Sequence, residues 1–247
     1  MENSSTKSEI NCVDMADNLG KVKALFTEYE VALSNPDIRD NLPSSIKLSE
    51  EVESILLKLE AILNPEYILE IDRSINLVDF IRKPQTEGGL GLLSRPDPEN
   101  PIAGSDERNE GITEIDFSKV KLDMSWLPEG ESSVDGGMRL ASLMAKSNEF
   151  IRLDLFVLAA LWKLLKGNEE QKEDFENKMS ILAKVNGLKI EELYKCFISF
   201  DGTIVRNSGG TRYLIYLHCE GGWGWGAGRE SLQTGIDKSH PSLVLPI

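Results

Sequence analysis

A chain of 247 residues with a formal charge of −14 and a pI near 4.7 repels polyanions, which excludes direct nucleic-acid binding and attachment to anionic membranes as its main tasks. Hydrophobic residues make up 40%, somewhat below the usual globular share, so unfolded segments are expected beside a folded core. A protein partner with a basic surface suits this charge better.

The opening MENSSTKSEINC has no apolar core of a secretory signal, and Cys12, Cys196 and Cys219 are an odd, scattered set that fits free thiols. The expected location is the cytoplasm. Residues 1–14 are polar and read as disordered. Over residues 15–34 one helix is predicted: Leu19, Val22, Phe26, Tyr29 and Leu33 step by three and four, and Asn35-Pro36 stops it. A narrow stripe on a detached segment suits a partner's groove or its own domain. A helical hairpin is predicted over 49–82. Its first arm carries Val52, Ile55, Leu59 and Ile62 after an acidic first turn, and Asn64-Pro65 ends it. Its second arm, Glu66 to Ile81, carries Ile68, Ile71, Ile75 and Val78. Such a pair does not stand alone, so self-association is expected.

Residues 83–133 read as an acidic, largely disordered linker. Between Gln85 and Asp135 there are twelve acidic residues against four basic ones, with several prolines and the run Gly88-Gly89-Leu90-Gly91. Ile112 to Val120 and Met124 to Leu127 mix acidic and apolar residues, as a recognition segment or a strand docked on the core would.

From Asp135 to Lys166 the longest apolar-dominated run of the chain predicts a core helix, with Leu140, Leu143, Ile151, Leu155, Leu158, Trp162 and Leu165 on one face. It is interrupted by Arg152, Asp154 and Lys163 and falls short of the roughly 20 apolar residues a membrane span requires. Asn168 with Gln171 forms a capping-box start for a further helix bearing Phe175, Met179, Leu182 and Ala183, which Gly187 closes. A short helix at Ile190–Tyr194 leads into three strands, Cys196–Phe200, Thr203–Arg206 and Arg212–Cys219, joined by turns at Asp201-Gly202 and Asn207–Gly210. The folded α+β core thus covers 134–220, and 221–247 is a Gly/Trp-rich tail reading as a flexible arm. The expected fold class is mainly α with a small β-meander (α+β), separated by an acidic disordered linker from the N-terminal helices.

Catalytic chemistry is weakly represented. His218 and Cys219 are adjacent, so on a strand they face opposite ways and do not share a metal without distortion. A nucleophilic Cys196 or Cys219 would need His218 as base. The glycines around Trp223 and Trp225 lack the Lys-Ser/Thr ending of a phosphate loop. No catalytic residue, metal or cofactor is expected. Trp126, Trp223 and Trp225 are candidate partner contacts, with docking on the chain's own core the alternative for the last two. Ser49, Ser105 and Ser132, each near acidic residues, are candidate phosphorylation sites.

At Asp17-Asn18-Leu19-Gly20-Lys21-Val22-Lys23 with Tyr29, the first helix resembles the N-terminus of vesiculovirus phosphoproteins, a rhabdovirus family. The match covers fewer than 15 residues. Fourteen residues precede the matching region, 15–29, and a helix pair follows where the family has an acidic tract. The resemblance implies a non-enzymatic polymerase cofactor in viral RNA replication, found in host cytoplasm and virion. In that role the segment chaperones RNA-free nucleoprotein and the chain links polymerase to nucleocapsid. Asp17, Asn18, Leu19, Lys21, Val22, Phe26 and Tyr29 would be its nucleoprotein contacts. The alternative is a helical protein–protein interaction adaptor outside replication; a weaker third is an enzyme using Cys219 or the glycine arm.

Overall fold

In the computed structural model, residues 67–220 and 224–247 are described. The stripe at 15–34, the first arm of the predicted hairpin, Trp223 and Ser49 lie outside them.

The chain enters at β1 (Ile68–Glu70), where Leu69 and Ile71 are buried and Glu70 is exposed. Burial alternating residue by residue is the period of a strand, and β1 pairs antiparallel with β3 (Glu114–Asp116). Only after Asn76, whose side chain accepts from the Val78 and Asp79 N–H groups, does helix α1 (Leu77–Arg82) begin. The predicted helix from Glu66 to Ile81 is therefore corrected to a strand and a short helix. Its isoleucines satisfy both periods, and the partner that decides between them lies some 45 residues on, at β3.

Residues 83–133 are a larger correction. They are not a disordered linker but part of the packed structure. Leu90, Leu93, Ile115, Phe117, Val120 and Trp126 are each at most 2% exposed. The segment also contributes β2 (Ile102–Ser105), β3 and β4 (Lys121–Asp123). The acidic residues that give it the composition of a linker serve the backbone. Asp97 accepts the N–H groups of Glu99 and Asn100, Asp116 accepts that of Ser118, and Asp106 is buried among arginines. Turn-forming Asp satisfies otherwise orphaned donors.

The predicted helix over Asp135–Lys166 is broken in two. After β5 (Ser133–Asp135), α2 (Gly136–Ala145) ends at Lys146; β6 (Phe150–Arg152) follows, then α3 (Leu155–Leu165). Asp154, which interrupts the apolar run, caps α3 by accepting from the Phe156 and Val157 N–H groups. The cap residues were in the sequence, and they outweigh the continuous stripe because β6 gains backbone partners on the last strand.

Helix α4 (Glu169–Val185) carries the complete Asn168–Gln171 capping box, and Gly187 follows it at φ +67°. A short helix, α5 (Ile190–Leu193), then leads to β7 (Phe197–Ser199), β8 (Thr203–Arg206) and β9 (Arg212–Glu220). The three strands form where predicted, but they are not a meander, because β9 pairs with both β7 and β8. Beyond them, β10 (Gly224–Ser231), β11 (Gly235–Asp237) and β12 (Ser242–Pro246) follow. The expected flexible arm is corrected for residues 224–247. β10 pairs with β9 along its whole length, and β12, with Leu243 and Val244 buried, pairs with β4, β6 and β7.

The result is a mixed α/β unit spanning 66–247, rather than a mainly α fold with a core confined to 134–220. An eight-stranded sheet in the order β2-β8-β9-β7-β12-β4, with β10 and β6 attached, divides two apolar cores. On one face α3, α4 and α5 cover Ile198, Val205, Ile215 and Leu217 together with Trp162 and Phe175. On the other, α2 and the β5–β11 pair cover Leu214, Ile204 and Val244 with Trp126.

Buried ions fasten these layers at the Asp201-Gly202 turn. Arg139 of α2, fully buried, pairs with Asp201 at 2.7 Å and lies over the Trp126 ring at 4.3 Å. Arg152 donates to the Asp201 carbonyl at 3.2 Å and pairs with Asp106 at 3.4 Å. Arg108 holds Asp106 in a two-point contact of 2.6 and 2.8 Å. Burial pushes the Asp106 carboxyl up, but the Arg108 hydrogen bond, the Arg152 N–H and the two positive charges outweigh it, so its pKa is lowered. A lowered carboxylate contributes stability that is complete above its unfolded pKa, about 3.9. That contribution is lost as pH falls through the lower folded value. Asp106→Asn is accordingly expected to be less stable at pH 7 and to show a flatter acid limb in a stability-versus-pH series measured by urea unfolding.

Candidate functional site

Where β7, β9 and β10 end against α4 and α5, the described residues enclose a cleft of about 690 Å³. It falls within the size range of small-ligand pockets.

Each wall follows from a local rule. The capping box fixes the start of α4, and with it the phase that buries Phe175 and leaves Glu176 exposed at the rim. Leu193, fully buried, pins α5 and brings Tyr194 to the opening with Glu191 beside it. On β10 the alternation Gly224, Trp225, Gly226, Ala227, Gly228 puts Trp225 and Ala227 on the helix-covered face. The glycines fall on the other face, where β9 lays its rings down. A Cβ at Gly228 would collide with the Tyr216 ring, and one at Gly226 would stand 3.3 Å from His218. The glycine-rich pattern is thus the strand's accommodation of two cross-strand rings.

Trp225, 8% exposed, meets Phe175 and Tyr194 edge-on, both at 5.5 Å between ring centres. These are favourable edge-to-face geometries. The Tyr194 hydroxyl stands 3.5 Å from Glu176 Oε2. Across the end of the sheet, Phe197 stacks on His240 at 4.7 Å and 15° and lies 5.7 Å from His218, so both histidines of the chain join one ring cluster with Tyr216.

The cleft's electrostatics hold three of its groups towards their protonated forms. Burial, then the charges of Glu176 and Cys219, raise the Tyr194 hydroxyl's pKa. Burial and Glu192 raise the Cys196 thiol, and burial and Glu176 raise Cys219. All three groups are therefore mostly protonated at neutral pH, which slows thiolate chemistry there and lets it rise with pH. Burial lowers the pKa of His240, against the hydrogen bond that its ring donates to the Asp237 carboxylate. What the cleft offers is ring surface, the Glu176 and Glu191 carboxylates, two neutral thiols, and one cation at its edge, Lys195.

The predicted site residues fall in different places. Trp225 lines the cleft while packing on the chain's own core. Trp126 is 2% exposed beneath Arg139 and packs in the second core, which favours the core reading over a partner contact. Ser105 and Ser132 are exposed. Glu176, Glu191, Tyr194 and Phe197 were not anticipated. The phase of α4 carried a signal for Glu176, and nothing local marked Tyr194. Among the described residues no group of three or more His, Cys, Asp or Glu side chains is placed to hold a metal ion, and no helix is long and apolar enough to cross a membrane. Comparison with protein-family models, curated proteins and solved structures returned no match.

Proposed function

We propose that this chain is a non-enzymatic binding protein whose acidic, ring-lined cleft takes a cationic side chain from a basic segment of a protein partner. The observation that carries it is the convergence of Tyr194 and Trp225 with Glu176 and Glu191 around one opening. Ring faces attract cations through their quadrupole, by about 0.5–2 kcal/mol depending on desolvation. The two carboxylates add charge complementarity, and the net charge of −14 steers a basic partner towards the chain. The raised thiol pKa values support binding rather than covalent catalysis.

The polymerase-cofactor role implied by the vesiculovirus resemblance is one form of this reading, since RNA-free nucleoprotein is a basic partner. It rests on Asp17 to Tyr29, outside the described residues. An adaptor outside replication is the other form, and it uses the same cleft. A pool of short Lys- and Arg-containing peptides, titrated against the full chain by calorimetry, tests the proposal. Replacing Glu176 and Glu191 together by Gln is expected to weaken the best binder about ten-fold at low salt, with a smaller loss at higher ionic strength. Unchanged affinity in that variant would remove the cleft as the binding site.

A further inference from the structure

The cleft holds two thiols that cation binding does not use. β7 and β9 run antiparallel with Phe197 opposite His218 and Ile198 opposite Leu217. One further step of that register sets Cys196 opposite Cys219. The Phe200 N–H donates to the Ile215 carbonyl at 3.0 Å, whereas the Cys196 N–H turns to the Leu193 carbonyl at 2.9 Å; Cys196 therefore stands one residue before the paired strand, and facing Cα atoms of neighbouring antiparallel strands stand about 4.5–5.5 Å apart. A disulfide spans Cα separations of roughly 4.4–6.8 Å. Both side chains pack on the helix-covered core, so they share one face of the sheet. Both are free thiols, partly exposed, and both line the cleft.

We propose that Cys196 and Cys219 are a redox modification site: hydrogen peroxide converts them to a reversible disulfide across β7 and β9, and the bond closes the cleft. The closing rests on the cation-binding reading; the bond itself does not. One thiolate attacks a peroxide oxygen, the O–O bond breaks, and a sulfenic acid forms with release of hydroxide, which takes up the thiol's proton as water. The second thiolate attacks that sulfur, the S–O bond breaks, and the departing hydroxide takes up the second proton. Two thiols and one peroxide give one disulfide and two waters, the sulfurs being oxidised by two electrons and the peroxide reduced by two. Burial, then Glu192 beside Cys196 and Glu176 near Cys219, raise both thiol pKa values, so the reaction accelerates as pH rises.

The bond closes the cleft through its neighbours. Tyr194 lies two residues before Cys196, and Trp225 is the β10 partner of Cys219. Linking 196 to 219 ties the two ring-bearing segments together and prevents them from parting to admit a cation.

The full chain carrying Cys12→Ser is treated with hydrogen peroxide, alkylated, and digested with trypsin without reductant. The expected product is a cross-link between peptides 196–206 and 213–229 that dithiothreitol releases. It should form several-fold faster at pH 8.5 than at pH 7, and it should be absent in Cys196→Ser. Affinity for the basic peptide is expected to fall about ten-fold on oxidation and to recover on reduction. Sulfinic acid on two separate peptides, or cross-links only between molecules, would overturn the site. A cross-link with unchanged peptide affinity would overturn the closing. Reduced protein that binds no cationic peptide would count against the cation reading alone and leave the cross-link standing.

Discussion

Arg139→Ala is expected to cost about 3–5 kcal/mol of folding stability, the typical loss on removing one partner of a buried ion pair. Asp201, 2% exposed, would keep a carboxylate with Ser242 as its remaining side-chain donor. The carbonyl of His240, which accepts from Arg139, would also lose its donor. Because this pair joins α2 to the Asp201-Gly202 turn and to the start of β12, the damage is not confined to one element. Chemical denaturation of the variant reads the loss as a lower midpoint with an unchanged slope. A change within 1 kcal/mol would show that the pair is not needed to hold the layers.

Trp126→Ala is expected to lose a comparable 3–5 kcal/mol, as truncation of a buried aromatic does. The ring fills the second core between α2 and the sheet and supports the Arg139 guanidinium. The two losses should not add. Once the ring is gone Arg139 has lost part of its packing, so the double variant should fall short of the sum by 0.5 kcal/mol or more, about the smallest coupling seen between touching residues. This variant also separates the two readings of Trp126. A partner contact would leave the melting temperature in place and weaken binding; a core residue lowers the melting temperature.

How much of this was legible in the sequence depends on the range of the forces involved. The Asn168–Gln171 box, the stop at Gly187 and the strands at Thr203–Arg206 and Arg212–Cys219 could be read because their causes lie within a few residues. The pairing of β9 with both β7 and β8, and the insertion of β12 beside β7, could not, since they depend on contacts far apart in the chain. The misreading of 83–133 has a different origin. Its acidic residues count as solvated charge in a composition, yet Asp97, Asp106 and Asp116 act locally as turn acceptors and ion partners, and the apolar residues between them reach two separate cores. The break in Asp135–Lys166 is marked by Asp154, a cap in mid-stripe, but the apolar spacing runs on across it without a gap and masks it. For the cleft, Trp225 stood out as an aromatic needing a site. Its neighbours did not, because Glu176, Tyr194 and Trp225 converge only after α4, α5 and β10 have packed.

The central claim, that Tyr194 and Trp225 with Glu176 and Glu191 receive a cation, is tested most directly by nuclear magnetic resonance of the full chain labelled with ¹⁵N at tryptophan. Of the four indole N–H signals, that of Trp225 is assigned by substitution with Phe. Titration with an arginine- or trimethyllysine-containing peptide is expected to move the Trp225 signal in a saturable way and to leave those of the buried Trp126 and Trp162 in place. Glu176→Gln should shift the saturation point to higher peptide concentration. A Trp225 signal that stays fixed while the peptide binds elsewhere would contradict the account.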